Sequence, residues 1–379
     1  MKFCVITQDY PNPVRKATYV FMQNFVWTLK DLGHEVIVIC PLNNMRDKNK
    51  LVPDKCKEVT LNGNEVEIFF PKFYAPWTTR RGKLDIISIH GENAFRKCVD
   101  NVLIKEKYNP DVLYGEFLDP AGTTASFLKE KYACKAIASF GESSFWSISK
   151  YNEKNVTELL NKLDGIEAVS TENKRRLLEK GIKDEETIIV LPNGVDRRRY
   201  YKMDKQECRD KFGFKKESFI VAFLGGFIER KGPLRVEEAL KDIDNVEVAY
   251  AGRGPQKPTA KNTIFSDIVE PKDVAVFLSA ADIFVLPTLN EGCCNAVIEA
   301  MACGLPIISS KDAFNDDILN KDNSIRIDPN SVQDIREAVL ELKDNKERLE
   351  LMSQESLRIA EKLDIINRVS EVVKFVEKV

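Results

Sequence analysis

Short apolar runs alternate with stretches of helical spacing along most of this chain, and that alternation limits the fold more than any other feature. Phe3–Thr7 reads as a strand. Tyr19–Asp31 reads as a helix with Phe21, Phe25 and Leu29 on one face, and Val36–Cys40 as the next strand. Further strands are expected at Val66–Phe70, Pro110–Tyr114, Ala136–Phe140, Gly165–Ser170 and Thr187–Leu191. The helices between them fall at Leu84–Glu106, Ala121–Lys131, Thr157–Leu163 and Thr171–Glu179. Continuous apolar runs suit strands covered on both faces, and their alternation with helices predicts an α/β fold with a doubly wound parallel sheet.

A second series starts after the polar, basic segment Asp196–Lys216. It runs through strand Phe219–Gly225, helix Gly232–Leu240, strand Val246–Ala251, helix Val274–Ser279 and strand Asp282–Pro287. From Ser331 onward the chain reads as charged helix. A chain of 379 residues is long for one core and comfortable for two. The expectation is two Rossmann-like domains facing across a cleft, residues 1–196 and 197–363, with a helix at about 364–379 packing back on the first.

The densest chemistry lies between Asn290 and Pro306. Glu291 and Glu299 bracket the small-residue loop Gly292-Cys293-Cys294 and the run Asn295-Ala296-Val297-Ile298, between two apolar strands. Asn295 is a good N-cap, Ala-Val-Ile-Glu-Ala-Met-Ala favours helix, and Gly304 then Pro306 suit its end. Free amides at the positive end of a helix attract phosphate. Glu299, one turn in, would reach hydroxyl groups on whatever carries that phosphate. The plain alternative is a strand-end carboxylate and a solvated helix face. Two glycine turns join this unit on the same sheet edge. Gly225-Gly226 leads into Arg230-Lys231, whose cations could neutralise a diphosphate, and Gly252-Arg253-Gly254 follows the next strand.

Composition removes several other functions. The net charge is −2, which gives no field for nucleic acid. No run approaches the roughly 18 apolar residues of a membrane span. Nine scattered cysteines without a CxxC pair fit reduced thiols and a cytoplasmic location, with the cytosolic membrane face left open. Two histidines, His34 and His90, are too few for a histidine metal site or a Ser-His-Asp triad. Asp242-Ile243-Asp244 has metal-binding spacing but falls in a polar turn.

Taken together, these pieces resemble the retaining nucleotide-sugar glycosyltransferases of the GT-B fold, in glycosyltransferase family 4. The matching segments are Glu291-x7-Glu299 with its Gly-Leu-Pro exit, Ala281–Pro287, Pro192-Asn193-Gly194-Val195-Asp196, Lys231-Gly232 and Asn109–Val112, in the family's order. The resemblance implies transfer of a sugar from a nucleotide-diphosphate sugar to a glycan or lipid-linked acceptor, without metal or cofactor. It implies that Glu299 binds the ribose and that Glu291 holds the transferred sugar. Amides around Cys294, Asn295 and Ala296 would hold sugar hydroxyls and phosphate, and Lys231 with an arginine would neutralise the leaving diphosphate.

The chain also departs from that family. Gly226 stands where an arginine is usual, with Arg230 a candidate substitute. Phe140 stands near the place of a donor-contacting histidine, with Gly141 and Glu142 beside it and Asn12 in the first loop on the acceptor or sugar side. A catalytically degenerate scaffold that binds nucleotide sugar or partners without turnover is therefore the alternative. Phe73–Lys83 mixes aromatics and cations, as would a loop touching an anionic membrane, although a loop folded over its own domain has the same composition.

Overall fold

The computed structural model describes residues 1–16, 18–75, 86–145 and 153–379. It divides into two compact units, Met1–Leu191 with Arg368–Val379, and Pro192–Asn367. The division falls at the Leu191-Pro192 turn, ahead of the basic segment expected to separate the two series.

The first unit contains β1 (Lys2–Ile6), β2 (Glu35–Ile39), β3 (Leu42–Asn43), β4 (Lys55–Val59), β5 (Glu65–Phe69), β6 (Lys72–Phe73), β7 (Val112–Glu116), β8 (Lys135–Phe140), β9 (Gly165–Ala168) and β10 (Ile188–Val190). Eight of these form one sheet in the order β10-β9-β8-β7-β1-β2-β5-β4. All its pairs are parallel except β4 with β5. The second unit contains β11 (Phe219–Leu224), β12 (Val246–Ala251), β13 (Thr263–Asp267), β14 (Ile283–Leu286), β15 (Ile307–Ser310) and β16 (Ser324–Ile327). They make a wholly parallel sheet in the order β13-β12-β11-β14-β15-β16.

Strand composition explains the sheets. Every residue of β14 is buried, and β11 and β12 are buried over nearly their whole length. Each fully buried Val, Leu, Ile or Phe side chain contributes roughly 1.5–3 kcal/mol. Strand order reverses between β11 and β14, because the chain first builds outward to β13 and then returns to the other side of β11. In open α/β sheets the carboxyl edge at such a reversal is where ligands bind.

Several elements lacked an apolar signature. β4, Lys-Cys-Lys-Glu-Val, alternates exposed and half-buried positions as an edge strand does. Within the basic segment, Lys205–Phe212 is a helix, capped by Asp204 accepting from Glu207 N and closed by Gly213 at φ 68°. Arg209 is 2% exposed and donates to Ala280 O at 2.9 Å and to Asp282 at 2.8 Å. The segment is thus part of the second unit and not a spacer.

The segment Arg368–Val379 packs on the first unit. Arg368 pairs with the buried Glu167, Phe375 lies against Gly165, and Lys135 Nζ donates to Val376 O at 2.8 Å. Of Phe73–Lys83, residues 76–83 lie outside the described residues. Among the described residues no helix is long and apolar enough to cross a membrane.

Candidate functional site

The loop after β11 is interlocked with the loop after β12. Gly225 N donates to Ala251 O at 3.0 Å, and Phe227 N to Arg253 O at 2.9 Å. A Cβ on Gly252 would overlap Gly225 O, and one on Gly254 would overlap Phe227 O, so neither position accepts a side chain. The chain then turns at Gly232, φ 76°, into helix Pro233–Leu240 with proline at its first position. Leu289 N donates to Arg230 O at 2.8 Å, which ties this loop to the one leaving β14.

That tie brings the predicted charges together. Lys231 Nζ lies 2.5 Å from Glu291 Oε1, Thr288 Oγ1 donates to the same oxygen at 3.0 Å, and Arg230 Nη1 pairs with it too. Arg230 Nη1 also donates to Asn290 O at 2.6 Å. The Glu291 side chain is 13% exposed and Lys231 15%, whereas Arg230 is 40% exposed. The contacts of Lys231, Arg230 and Thr288 with Glu291 all fall on Oε1. Two cations on one carboxylate leave a surplus positive charge at the strand-order reversal. A mostly buried carboxylate so paired is held firmly, because charge-assisted bonds are short and strong where water is scarce. Arg230, read as a stand-in for the arginine missing at Gly226, has its guanidinium directed at Glu291 and Asn290. Arg253 is exposed on the neighbouring turn, and no carboxylate pairs with it among the described residues.

The small-residue loop leads into a helix, with one correction to its cap. Gly292, Cys293 and Cys294 are buried, and the helix runs Asn295–Ala302. Its N-cap is Cys294, not Asn295, and no side chain caps it. Asn295 is the first helical residue, and its side-chain oxygen accepts from Asn193 Nδ2 at 2.7 Å. The capping oxygen is therefore taken by a residue of the Pro192-Asn193-Gly194 turn. First-turn amides, those of Asn295 and Ala296 among them, have no intrahelical acceptor. The other end closes as a Schellman motif: Leu305 N donates to Ala300 O at 3.0 Å, and Gly304 N to Met301 O at 2.9 Å, with Gly304 at φ 77°.

Glu299 lies on this helix, half-buried, and burial pushes its carboxyl up to about 7. The Tyr200 hydroxyl, hydrogen-bonded to it, and the Arg199 charge draw the value back down. Burial, and then Glu299 itself, pushes the Tyr200 hydroxyl up. Thr288, Asn193, Arg199 and Tyr200 are supports that the sequence did not single out as such. Only the Asn193 turn carried a local signal.

The residues expected on the acceptor or sugar side belong to the first unit. Asn12 is buried and holds its own turn: Oδ1 accepts from Val14 N and Arg15 N, and Nδ2 donates to Tyr10 O. Gly141 leaves room for the Phe117 ring, which a Cβ would approach to 3.3 Å. Glu142 O accepts from Asn173 Nδ2 at 3.2 Å. Phe140 is fully buried in the core and stacks on Phe145 at 4.9 Å, so its ring is not presented at a surface. Asp242 and Asp244 are exposed. A second acid cluster was not anticipated. Burial, then Glu167, pushes the Glu116 carboxyl up to about 8, and Tyr114 donates to Glu167 at 3.2 Å.

Two units, each with a mainly or wholly parallel doubly wound sheet and the second with an anion-suited edge, define the class of GT-B proteins. Comparison with known proteins makes the family plain. Residues 20–199 match the family described as Glycosyltransferase Family 4, and residues 204–358 match Glycosyl transferases group 1. The chain is 25% identical over 346 residues to a Bacillus subtilis protein named as a teichuronic acid biosynthesis glycosyltransferase, TuaC, covering 89% of this chain and 88% of that one. It is 29% identical over 221 residues to the Escherichia coli UDP-Gal:alpha-D-GlcNAc-diphosphoundecaprenol alpha-1,3-galactosyltransferase, 53% of this chain and 57% of that one. Among solved structures it resembles the sucrose-phosphate synthase of Thermosynechococcus elongatus, with a TM-score of 0.79 at 14% identity, over 100% of this chain and 99% of that one. It also resembles Anabaena Alr3699/HepE in complex with UDP, with a TM-score of 0.75 at 14% identity over the whole of both chains. The chain belongs to the GT-B glycosyltransferases.

Proposed function

We propose that this enzyme moves a sugar from a nucleotide-diphosphate sugar to a glycan or lipid-linked acceptor, without metal and with retention of the anomeric configuration, in polysaccharide or glycolipid assembly. The observation that carries this reading is the convergence of Lys231, Arg230 and Glu291 beside a helix N-terminus at the strand-order reversal of the second unit. The names of the similar proteins support it, one for teichuronic acid and one for a diphosphoundecaprenol-linked acceptor. Complexes of the structurally similar HepE with UDP and UDP-glucose favour a nucleotide sugar as donor.

In this reading the bond from the anomeric carbon to the diphosphate breaks as the acceptor hydroxyl approaches the same face. The acceptor proton leaves with the diphosphate oxygen. Lys231, assisted by Arg253 and the amides of Cys294, Asn295 and Ala296, stabilises the charge developing on that oxygen. Gly225, Gly226, Gly292 and Cys293 keep the walls low enough for close approach. Glu291, fixed by Arg230 and Thr288, orients the sugar, and Glu299 accepts from ribose hydroxyls. Asn12, Gly141 and Glu142 are assigned to the first unit's acceptor or sugar side.

The test is a panel of nucleotide sugars, read first by thermal shift and then by release of nucleoside diphosphate with candidate acceptors. One donor should raise the melting temperature and be consumed, with loss of turnover in Lys231→Ala. Tight donor binding without turnover under every acceptor condition would favour a binding scaffold. The engagement of Arg230 by Glu291, and the core position of Phe140, are the observations that keep that second reading open.

A further inference from the structure

The basic segment that follows the first series supports Glu299 through Arg199 and Tyr200, and farther along it builds a second concave site. A cavity of 520 Å³ opens at the amino edge of the second sheet, where β11, β14 and β15 begin. The carboxyl edge with Lys231 and Glu291 lies on the other side, roughly 13 Å away along a four-residue strand. Lys202, Lys205, Lys343 and Lys346 all line this cavity. Lys343 ends one helix and Lys346 begins the next.

The lysines are not balanced by acids. Three carboxylates line the same cavity, Asp204, Asp282 and Glu350. Asp282 is already neutralised by Lys205 at 2.7 Å and Arg209 at 2.8 Å. Asp204 caps a helix by accepting from Glu207 N at 2.9 Å, and Glu350 accepts from Gln354 at 3.1 Å. Lys202, Lys343 and Lys346 pair with no carboxylate among the described residues. Lys202 is also held in place. Its Nζ donates to Ser353 Oγ at 3.1 Å, and Ser353 is 5% exposed. Its stem crosses Gly304, where a Cβ would come within 3.0 Å of Lys202 Cδ. An ammonium anchored on a buried hydroxyl, beside two ammoniums without a carboxylate partner, forms a receptor for concentrated negative charge.

We propose that this cavity is a binding site for a compact phosphate-bearing anion, separate from the donor site. Its volume suits a ligand between a pyrophosphate and a sugar phosphate, since small-molecule pockets span about 300–1,000 Å³. The ammoniums of Lys202, Lys343 and Lys346 take the phosphate oxygens. The proposal is independent of which nucleotide sugar the enzyme uses.

The test is calorimetric titration of the full chain with inorganic pyrophosphate and with glucose 6-phosphate in low-salt buffer. It is repeated on Lys202→Gln/Lys346→Gln, on Lys343→Gln and on Lys231→Ala. Weakening by about tenfold or more in the double variant, one decade being 1.4 kcal/mol, with near-normal binding in Lys231→Ala, would support the site. Hydrogen exchange on adding pyrophosphate should slow at residues 303–305 and 346–353. Binding that survives the double variant unchanged, or that disappears only in Lys231→Ala, would overturn the proposal, as would no binding at 10 mM of either anion (about −2.7 kcal/mol). A melting temperature for each variant separates loss of the site from loss of the fold. Preference for glucose 6-phosphate over pyrophosphate would identify a sugar phosphate as the source of the anion.

Discussion

Lys231 Nζ lies 2.5 Å from Glu291 Oε1, and the two residues come from the loops that leave β11 and β14. Those strands are neighbours only because the strand order reverses between them. The fold itself therefore brings the cation to the anion, and each holds the other in place before any ligand arrives. Such preorganised charge is where enzymes gain much of their electrostatic stabilisation.

Removing the cation tests that gain. Lys231→Ala should lower kcat by about 10²–10³, the usual cost of deleting one group that stabilises developing charge. Arg230 and Thr288 still hold Glu291, so the melting temperature should change little. Turnover within a few-fold of wild type would remove Lys231 from the chemistry.

The ribose-binding role proposed for Glu299 predicts that donor binding depends on pH. Its carboxyl, ordinarily near 4.5, titrates at about 7 in the folded chain because of burial. A ribose hydroxyl needs the ionised form as acceptor. Donor affinity should therefore rise about tenfold between pH 6 and pH 8, and Glu299→Gln should flatten that rise. Stability runs the opposite way. Between pH 4.5 and 7 the folded state holds a proton that the unfolded state has released, so this group's contribution is full below 4.5 and lost as pH rises through 7. Melting curves of wild type and Glu299→Gln at pH 5 and pH 8 check the sign.

The glycine turns differ in what they tolerate. Gly252→Ala drives a methyl into Gly225 O and should cost about 1–3 kcal/mol or more, with loss of donor binding. Gly225→Ala meets its nearest neighbour, Lys231 Cδ, only at 3.6 Å and should leave the melting temperature nearly unchanged. Equal melting temperatures for the two variants would contradict the interlocked geometry.

Arg368 neutralises Glu167, whose side chain is 0% exposed. Arg368→Met should destabilise the chain by about 3–5 kcal/mol, because a buried carboxylate loses its cation. Adding Glu167→Gln should recover most of that loss, as read by chemical denaturation. A double variant no more stable than the single would show that the packing of the arginine, and not its charge, matters.

Much of this was legible in the chain. β11 and β12 announce themselves as apolar runs ending in glycine, β14 as one ending in proline and β15 as one ending in serine, and Gly304-Leu305-Pro306 marks a helix end. The cap on helix Asn295–Ala302 was not legible, because its outcome depends on Asn193, 102 residues away. Helix Lys205–Phe212 was hidden because one of its two buried positions is an arginine, and hydrophobic spacing cannot report a buried guanidinium. β4 was hidden because an edge strand can be polar on both faces. Arg230 was legible as a cation, but its engagement with Glu291 is set by a loop from another strand.

The placement of Arg368–Val379 in the first unit also bears on synthesis. Arg368 is made 201 residues after Glu167. A first sheet formed while the ribosome builds the second unit holds Glu167 without its cation and Gly165 uncovered where Phe375 will lie. The usual order, in which the earlier domain is finished first, is broken here: the first unit is completed only after the second has been made. A stop codon or a bulky fusion near residue 368 would therefore damage the opposite end of the chain, and chaperone demand should be greatest before that segment emerges.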